Sequence, residues 1–261
     1  MSLKDEEASS MSFEPAQWTG YDDQYKNSMK QLTAIRMVWY ENKLFFYLLT
    51  ALLLIGFLPF FLLDKVSFLI WLKQWHHPLV DCMAPYWTWL GDGIMYIALL
   101  WMMALWRVSC RKLLIMGGGF VFMSIVVQLL KRVFYTHMLR PIALLPGDKA
   151  LHLVDRVPLS KELSFPSGHS ATIFLLVAVI QLLAENKNKM YSVLLLGLAL
   201  TVAYSRIYLC QHFYIDVYVG AWIGTIAAVL VYIAVMQVNG PKWLDRSIYG
   251  WLCTHGKGIK K

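Results

Sequence analysis

Charged residues are scarce in this 261-residue chain, where Asp, Glu, Lys and Arg make up 15 % of the positions. A typical soluble domain carries about 25 %. Apolar residues reach 58 % and gather in long runs, which excludes an ordinary soluble domain and predicts an integral membrane protein.

The net charge is +8, but no basic patch is interleaved with aromatic residues, so no nucleic-acid partner is expected. The positive charges flank apolar runs instead, where membrane topology and anionic lipids explain them.

Signals for metals and nucleotides are also missing. The cysteines are Cys82, Cys110, Cys210 and Cys253. They form no C-x-x-C pair and have no histidine at zinc spacing, so no structural metal site is predicted. Whether Cys82 and Cys210 pair stays open, because a disulfide cannot be read from sequence. The chain has no Gly-rich phosphate loop and no acidic metal cluster, so we expect neither a bound nucleotide nor magnesium, and no cofactor.

The apolar runs predict an all-α, polytopic protein with six transmembrane helices. The predicted spans cover residues 44–63, 89–106, 113–130, 170–184, 190–208 and 214–238. The second has a polar start at Gly91-Asp92-Gly93, and the fourth is so short that its helix should begin within Ser167-Gly168-His169. Residues 66–87 are too broken by polar residues to cross, and predict short interfacial helices. These either line an entry route for a lipid or only cover the helix ends.

Three regions follow from this plan. Residues 1–43 form an N-terminal cytoplasmic tail without a signal peptide, ending in either an amphipathic helix or a polar lead-in to the first span. Residues 44–238 form the six-helix domain, and residues 239–261 form a basic cytoplasmic tail. Most of the 24 Lys and Arg residues flank the side on which both tails lie, so the positive-inside rule places the termini in the cytoplasm. The oligomeric state is not predicted.

Three polar clusters meet at the opposite ends of the spans: residues 131–141, 166–170 and 205–216. In the second, Pro166-Ser167-Gly168-His169 can start a helix, with Ser167 as the cap and Gly168 leaving room for a ligand. Unpaired N–H groups at such a start bind anions, and His169 stands in the first turn. The alternative is an ordinary helix cap with a surface histidine.

The third cluster supplies a histidine, a carboxylate and a cation. His212 and Asp216 are four residues apart, so on a helix they share a face and can form a hydrogen bond. A carboxylate on one ring nitrogen leaves the other unprotonated and nucleophilic, and Arg206 offers a guanidinium fork for phosphate oxygens. The alternative is an interfacial histidine with an unrelated aspartate.

The first cluster adds Lys131, Arg132 and Arg140, which either bind the same anion or anchor the third span among headgroups. Together the clusters predict phosphoryl transfer without metal. His212 attacks phosphorus, Asp216 stabilises the imidazolium, and His169 protonates the leaving oxygen. The cations and the helix start hold the phosphate.

At these residues the chain resembles the type 2 phosphatidic acid phosphatase family of membrane lipid phosphatases. The family's second motif is present as Pro166-Ser167-Gly168-His169, and its third as Ser205, Arg206, His212 and Asp216 with full spacing. The first motif differs from the family's spacing. The family places six residues between its Lys and Arg-Pro, whereas eight residues lie between Lys131 and Arg140, and seven lie between Arg132 and Arg140. A local bulge or an extra turn would bring Lys131 into place. His137 also falls in this segment and has no assigned role.

The resemblance implies a six-helix membrane core, a His212 nucleophile and a His169 acid. It also implies phosphate contacts from Arg140, Ser167, Gly168 and Arg206. The expected partners are membrane lipids and a lipid phosphate substrate, processed at the periplasmic face of a bacterial inner membrane. Two alternatives stay open: a lipid phosphotransferase using the same site, and a non-enzymatic lipid transporter with a vestigial site.

Overall fold

The fold is described by a computed structural model, which covers residues 36, 38–145, 152–155, 157–184, 188–238 and 241–247. Most of the predicted N-terminal tail, most of the C-terminal tail and Cys253 lie outside these ranges. Regular structure in the described part is helical, apart from an isolated bridge between Ser109 and Ser247. The prediction of an all-α fold is therefore confirmed.

Residues 38–41 are helical, and ten further α-helices have both ends within the described ranges. They are α1 Lys43–Ile55, α2 Pro59–Leu62, α3 Lys65–Lys73, α4 Pro78–Trp87, α5 Gly93–Leu105, α6 Cys110–Leu129, α7 Pro141–Leu144, α8 Gly168–Leu183, α9 Lys189–Tyr208 and α10 Tyr214–Gln237. Two 3-10 turns, Thr88–Gly91 and Lys242–Asp245, and a π-helical turn, Leu130–Phe134, complete the set.

Four stretches of helix are long and apolar enough to cross a membrane: Lys43–Leu62, Cys110–Phe134, Lys189–Tyr208 and Tyr214–Gln237. They correspond to the first, third, fifth and sixth predicted spans. The fourth predicted span is α8, which has 16 residues, fewer than the roughly 20 needed to cross the hydrocarbon core. By length and composition, the described residues thus hold four spans, or five if the bent pair containing α5 is counted as one.

The second predicted span differs from its prediction. Residues 89–106 do not form one helix, because the chain turns at Asp92 and Gly93–Leu105 is bent by 57° from Pro78–Gly91. The side chain of Asp92 caps the new helix by accepting a hydrogen bond from the Ile94 N–H. An N-cap residue has extended backbone angles, so the preceding helix cannot continue through it. The short helices α3 and α4, between the first and second spans, agree with the short helices predicted for residues 66–87.

The core is centred on α8, most of whose side chains are buried and which contacts α6, α9 and α10. Two glycines let α10 approach α8 closely. A Cβ at Gly220 would lie 2.5 Å from the Ser167 carbonyl oxygen, and one at Gly224 would lie 2.1 Å from that of Ala171. Small residues permit such backbone contact between membrane helices. The start of α8, where the anion site is predicted, is therefore held against the start of α10.

The cysteines in the described part of the chain are free: Cys82 is exposed, Cys110 is partly exposed and Cys210 is buried. No disulfide joins Cys82 to Cys210 in this structure.

Candidate active site

The Pro166–Ser170 segment forms the start of α8, as predicted. Ser167 is the N-cap, and its Oγ accepts a hydrogen bond from the Ser170 N–H at 3.4 Å. The Ser167 N–H donates to the Asp216 carbonyl oxygen at 2.9 Å, which fixes this start against α10. Gly168 has open space beside it, since a Cβ there would meet only Val127, at 4.0 Å. The N–H groups of this first turn are available to an anion.

His212 and Asp216 meet, but not in the predicted way. They do not share the face of one helix, because α10 begins at Tyr214. Asp216 instead reaches back from the first turn of α10, and its Oδ2 lies 3.4 Å from Nδ1 of His212. The same oxygen accepts hydrogen bonds from the Phe213 N–H at 3.0 Å and from the Ser164 hydroxyl. Both side chains are buried, so this contact fixes the orientation of the imidazole.

A tight turn brings His212 back beside Arg206. Cys210 adopts a left-handed backbone conformation with φ of 52°. The N–H groups of Gln211 and His212 both donate to the Arg206 carbonyl oxygen, at 3.0 and 3.3 Å. Burial, reinforced by the positive charges of Arg206 and Arg140, lowers the pKa of His212 to about 3, against the opposing effect of Asp216. The ring is therefore neutral near pH 7, as a nucleophile requires.

Arg206 is buried, and only some of its guanidinium donors have hydrogen-bond partners in the described structure. One terminal nitrogen donates to Thr88 Oγ1 at 3.0 Å, but its Nε has no hydrogen-bond partner among the described residues. Ser170 Oγ, in the first turn of α8, is likewise buried without a partner there. Buried donors are normally paired, and an orphan at such a place indicates a missing ligand. A phosphate oxygen supplies what a guanidinium N–H needs.

Lys131 and Arg140 converge on the segment that precedes the Pro166–Ser170 turn. Lys131 Nζ donates to the Leu163 carbonyl oxygen at 3.0 Å, and Arg140 Nε donates to that of Glu162 at 3.0 Å. A second Arg140 nitrogen donates to Gln211 Oε1 at 2.7 Å, next to His212. The π turn at 130–134, closed by the Tyr135 N–H on the Leu130 carbonyl oxygen, contains Lys131. A π turn takes up one extra residue, so it accounts for part of the two-residue excess of the first motif.

Arg132 is not brought to this group. It is exposed, and its Nε donates to Gln128 Oε1 one turn earlier on α6, at 3.1 Å. We therefore assign the Lys position of the first motif to Lys131.

Changing Lys131 to methionine is expected to lower kcat/KM by roughly a hundredfold, a usual loss for one charge-stabilising donor, whereas the same change at Arg132 should leave it near the wild-type value. Methionine keeps the apolar stem and removes only the ammonium charge. Steady-state phosphate release from a short-chain lipid phosphate measures both variants. Equal losses at the two positions would contradict this assignment.

His169 faces a cavity of about 600 Å³ that also touches Arg206. Arg206, His212, Lys131 and Arg140 all lie close enough to act on its ring, which places these four predicted residues around one centre with His169. Its other walls come from α4 and from Asp155, Val157 and Pro158, with Asp81 and Tyr86 among the side chains that α4 contributes.

Sequence reasoning missed four residues of this site: Thr88, Asp92, Ser164 and Gln211. Each contacts a predicted residue through a hydrogen bond or ion pair. Asp92 Oδ2 lies 3.5 Å from Nε2 of His169. The polar Gly91-Asp92-Gly93 interruption of an apolar run was a signal that could have identified it, because an intramembrane carboxylate needs a reason to be there.

A separate cluster lies at the far side of the cavity. One ligand atom each of His76, Asp81 and His152 lies within 4.8 Å of the other two. The two imidazole rings stack with centroids 4.1 Å apart, and Asp81 accepts a hydrogen bond from the Tyr208 hydroxyl and contacts His152 Nε2 at 2.9 Å. Lone pairs of parallel rings do not converge on one point, so the cluster as arranged is an Asp81–His152 contact covered by the ring of His76.

Comparison with known proteins agrees with this geometry. The model of the PAP2 superfamily matches residues 112–239. The chain is similar to the crystal structure of Aquifex aeolicus LpxE, with a TM-score of 0.54 and 29 % identity, covering 63 % of this chain and 92 % of that one. No curated protein matches the chain. The matched segment contains the Lys131, His169, Arg206, His212 and Asp216 positions described above, and this match to the PAP2 superfamily, together with the likeness to LpxE, indicates that the chain is an integral membrane phosphatase.

Proposed function

We propose that the protein removes phosphate from a lipid phosphate monoester or diphosphate through a phosphohistidine on His212. The observation that carries this proposal is the pairing of a buried, neutral His212, oriented by Asp216, with an adjacent Arg206 whose Nε lacks a partner in the described structure. An in-line phosphoryl transfer needs two things from the protein: a nucleophile, and a donor such as the Arg206 Nε–H that can bind the phosphate oxygens.

In the first half of the reaction, Asp216 engages Nδ1 of His212, which leaves Nε2 as the attacking nitrogen. The bond from Nε2 to phosphorus forms as the bond from phosphorus to the leaving oxygen breaks. His169 gives its proton to that oxygen, which departs as the lipid alcohol, or as a shorter phosphate if the substrate is a diphosphate. Asp216 stabilises the positive charge that the His212 ring then carries.

In the second half, water attacks the phosphohistidine. His169, now neutral, takes a proton from the water as the nitrogen–phosphorus bond breaks. Inorganic phosphate leaves, and both histidines return to their starting states.

Charge stabilisation comes from Lys131, Arg140 and Arg206 together with the N–H groups at the start of α8. Fixed positive groups aimed at the developing charge act as metal ions do in other phosphoryl transfers. We therefore propose a metal-free reaction, in which phosphate release continues in excess EDTA. Loss of activity on chelation, restored by one added metal, would contradict this part of the proposal.

The site lies where α6 and α9 end and α8 and α10 begin, so its residues share one end of the bundle. With the termini in the cytoplasm, that end faces the opposite side, which in a bacterial inner membrane is the periplasm. Candidate substrates are phosphatidic acid, phosphatidylglycerol phosphate, undecaprenyl diphosphate and the phosphates of lipid A.

The test is a panel of these lipids carrying labelled phosphate, offered to the purified protein in detergent. A hydrolase releases free phosphate from at least one of them. Label that moves to a second lipid would identify a phosphotransferase, and label that stays on every lipid would indicate a protein without this activity.

A further inference from the structure

Asp92 is held between two partners at the break in the second predicted span. Its Oδ1 accepts a hydrogen bond from the Ile94 N–H at 2.7 Å, which caps α5. Its Oδ2 lies 3.5 Å from Nε2 of His169. The hydrogen bond to Ile94 already fixes the Asp92 carboxylate. Its Oδ2 therefore stays beside the His169 ring at no further cost in side-chain entropy.

The turn that carries Asp92 is packed directly on the start of α8. A Cβ at Gly91 would lie 2.8 Å from the His169 carbonyl oxygen and 3.2 Å from the His169 Cβ. Three residues earlier, Thr88 accepts a hydrogen bond from the buried guanidinium of Arg206. The 88–92 turn thus contacts both the proposed acid and one of the phosphate-binding cations.

The surroundings of His169 pose an electrostatic problem for a general acid. It must carry a proton before it can donate one, yet its burial, followed by the charges of Arg206, His212, Lys131 and Arg140, lowers the pKa of His169 to about 3. Like charges disfavour a protonated imidazole, and a carboxylate at short range favours it. Asp216 is engaged with His212 and Ser164, so Asp92 is the carboxylate placed to act on His169.

The geometry points to Asp92 as the positioning residue of the general acid, a role that rests on the function proposed above. Its carboxylate accepts a hydrogen bond from Nε2–H of His169, stabilises the imidazolium and directs Nδ1–H to the leaving oxygen. As the phosphorus–oxygen bond breaks, the Nδ1 proton moves to that oxygen and the ring becomes neutral. Nε2–H stays on Asp92, and Nδ1 then accepts a proton from the attacking water.

The test compares Asp92→Asn and Asp92→Ser, since both side chains still cap α5 but carry no charge. We expect kcat for a lipid monophosphate to fall roughly tenfold to a hundredfold, within the usual range for acid catalysis, with KM little changed. The alkaline limb of the kcat–pH profile should move to lower pH, because the His169 imidazolium loses its proton at a lower pH when the Asp92 carboxylate is absent. A merely structural role for Asp92 would lower the rate without moving this limb.

Asp64→Asn is the matched control, because Asp64 caps α3 through the Val66 and Ser67 N–H groups, outside the site. It should leave both the rate and the profile unchanged. Two results would overturn the assignment: an Asp92→Asn enzyme with the wild-type rate, or a slower one whose alkaline limb stays in place. Failure of the proposed His212 mechanism would be distinguishable from failure of the Asp92 assignment. In the first case the His212→Ala variant would still release phosphate.

Discussion

Replacing His212 with alanine is expected to abolish phosphate release, with a loss of at least about four orders of magnitude in kcat, in line with removal of a covalent nucleophile in other enzymes. We expect no neighbouring group to take its place, because Asp216 is turned toward the ring, Arg206 and Lys131 are cations, and His169 is paired with Asp92. Rapid alkaline quenching with labelled substrate should trap an alkali-stable, acid-labile phosphoprotein in the wild type and none in the variant.

The control for this experiment is His137→Ala. His137 is exposed in the segment between the first motif's Lys131 and Arg140, and its loss should leave the rate near the wild-type value. Because His212 is buried, the variants must also be shown to share the wild-type elution profile and thermal midpoint in detergent. A well-folded His212→Ala protein that still releases phosphate would remove the nucleophile from the proposed mechanism.

Changing Asp216 to asparagine is expected to lower kcat by roughly a thousandfold to ten-thousandfold, as when the carboxylate partner of a catalytic histidine is replaced by an amide. One oxygen of Asp216 serves the His212 ring, the Phe213 N–H and the Ser164 hydroxyl. An amide keeps the shape but does not stabilise the positive charge on the phosphorylated ring. Single-turnover rates with labelled lipid should show that formation of the phosphoenzyme is the slowed step.

The control is Asp245→Asn, which removes a carboxylate paired with Arg111 at 2.6 Å away from the site. It should change kcat little, since exposed ion pairs contribute about 0–1 kcal/mol. If Asp216→Asn reduced the thermal midpoint but left kcat intact, the carboxylate would be a structural anchor of the 212–216 turn rather than part of the chemistry.

The parts of the fold and site that depend on local signals could be predicted from the sequence. The start of α8 was predicted to within a residue, because Pro166, Ser167 and Gly168 each have a short-range role in starting a helix. The limits of α9 and α10 followed from the lengths of their apolar runs. The His212–Asp216 contact was also predicted, although as neighbours on a helix face rather than across a helix start.

Contacts between distant parts of the chain could not be predicted in this way. Thr88 and Asp92 reach Arg206 and His169 only because the second apolar run breaks at Gly91-Asp92-Gly93 and packs across α8. The spacing of that segment carries no information about its partners. The choice between Lys131 and Arg132 depended on distant partners, because Lys131 reaches the Leu163 carbonyl oxygen whereas Arg132 contacts Gln128 on its own helix.

The phosphate centre and the cavity beside it are built from different parts of the chain. The centre is formed largely by α8, α9, α10 and the end of α6, locked together by glycine contacts and buried hydrogen bonds, whereas the other cavity walls come from α4 and from Asp155, Val157 and Pro158. Under the proposed function, we expect substitutions in those walls to change which lipid headgroup is preferred and to leave the phosphoryl transfer itself intact. A new substrate would then require no change in the residues that break the phosphate bond.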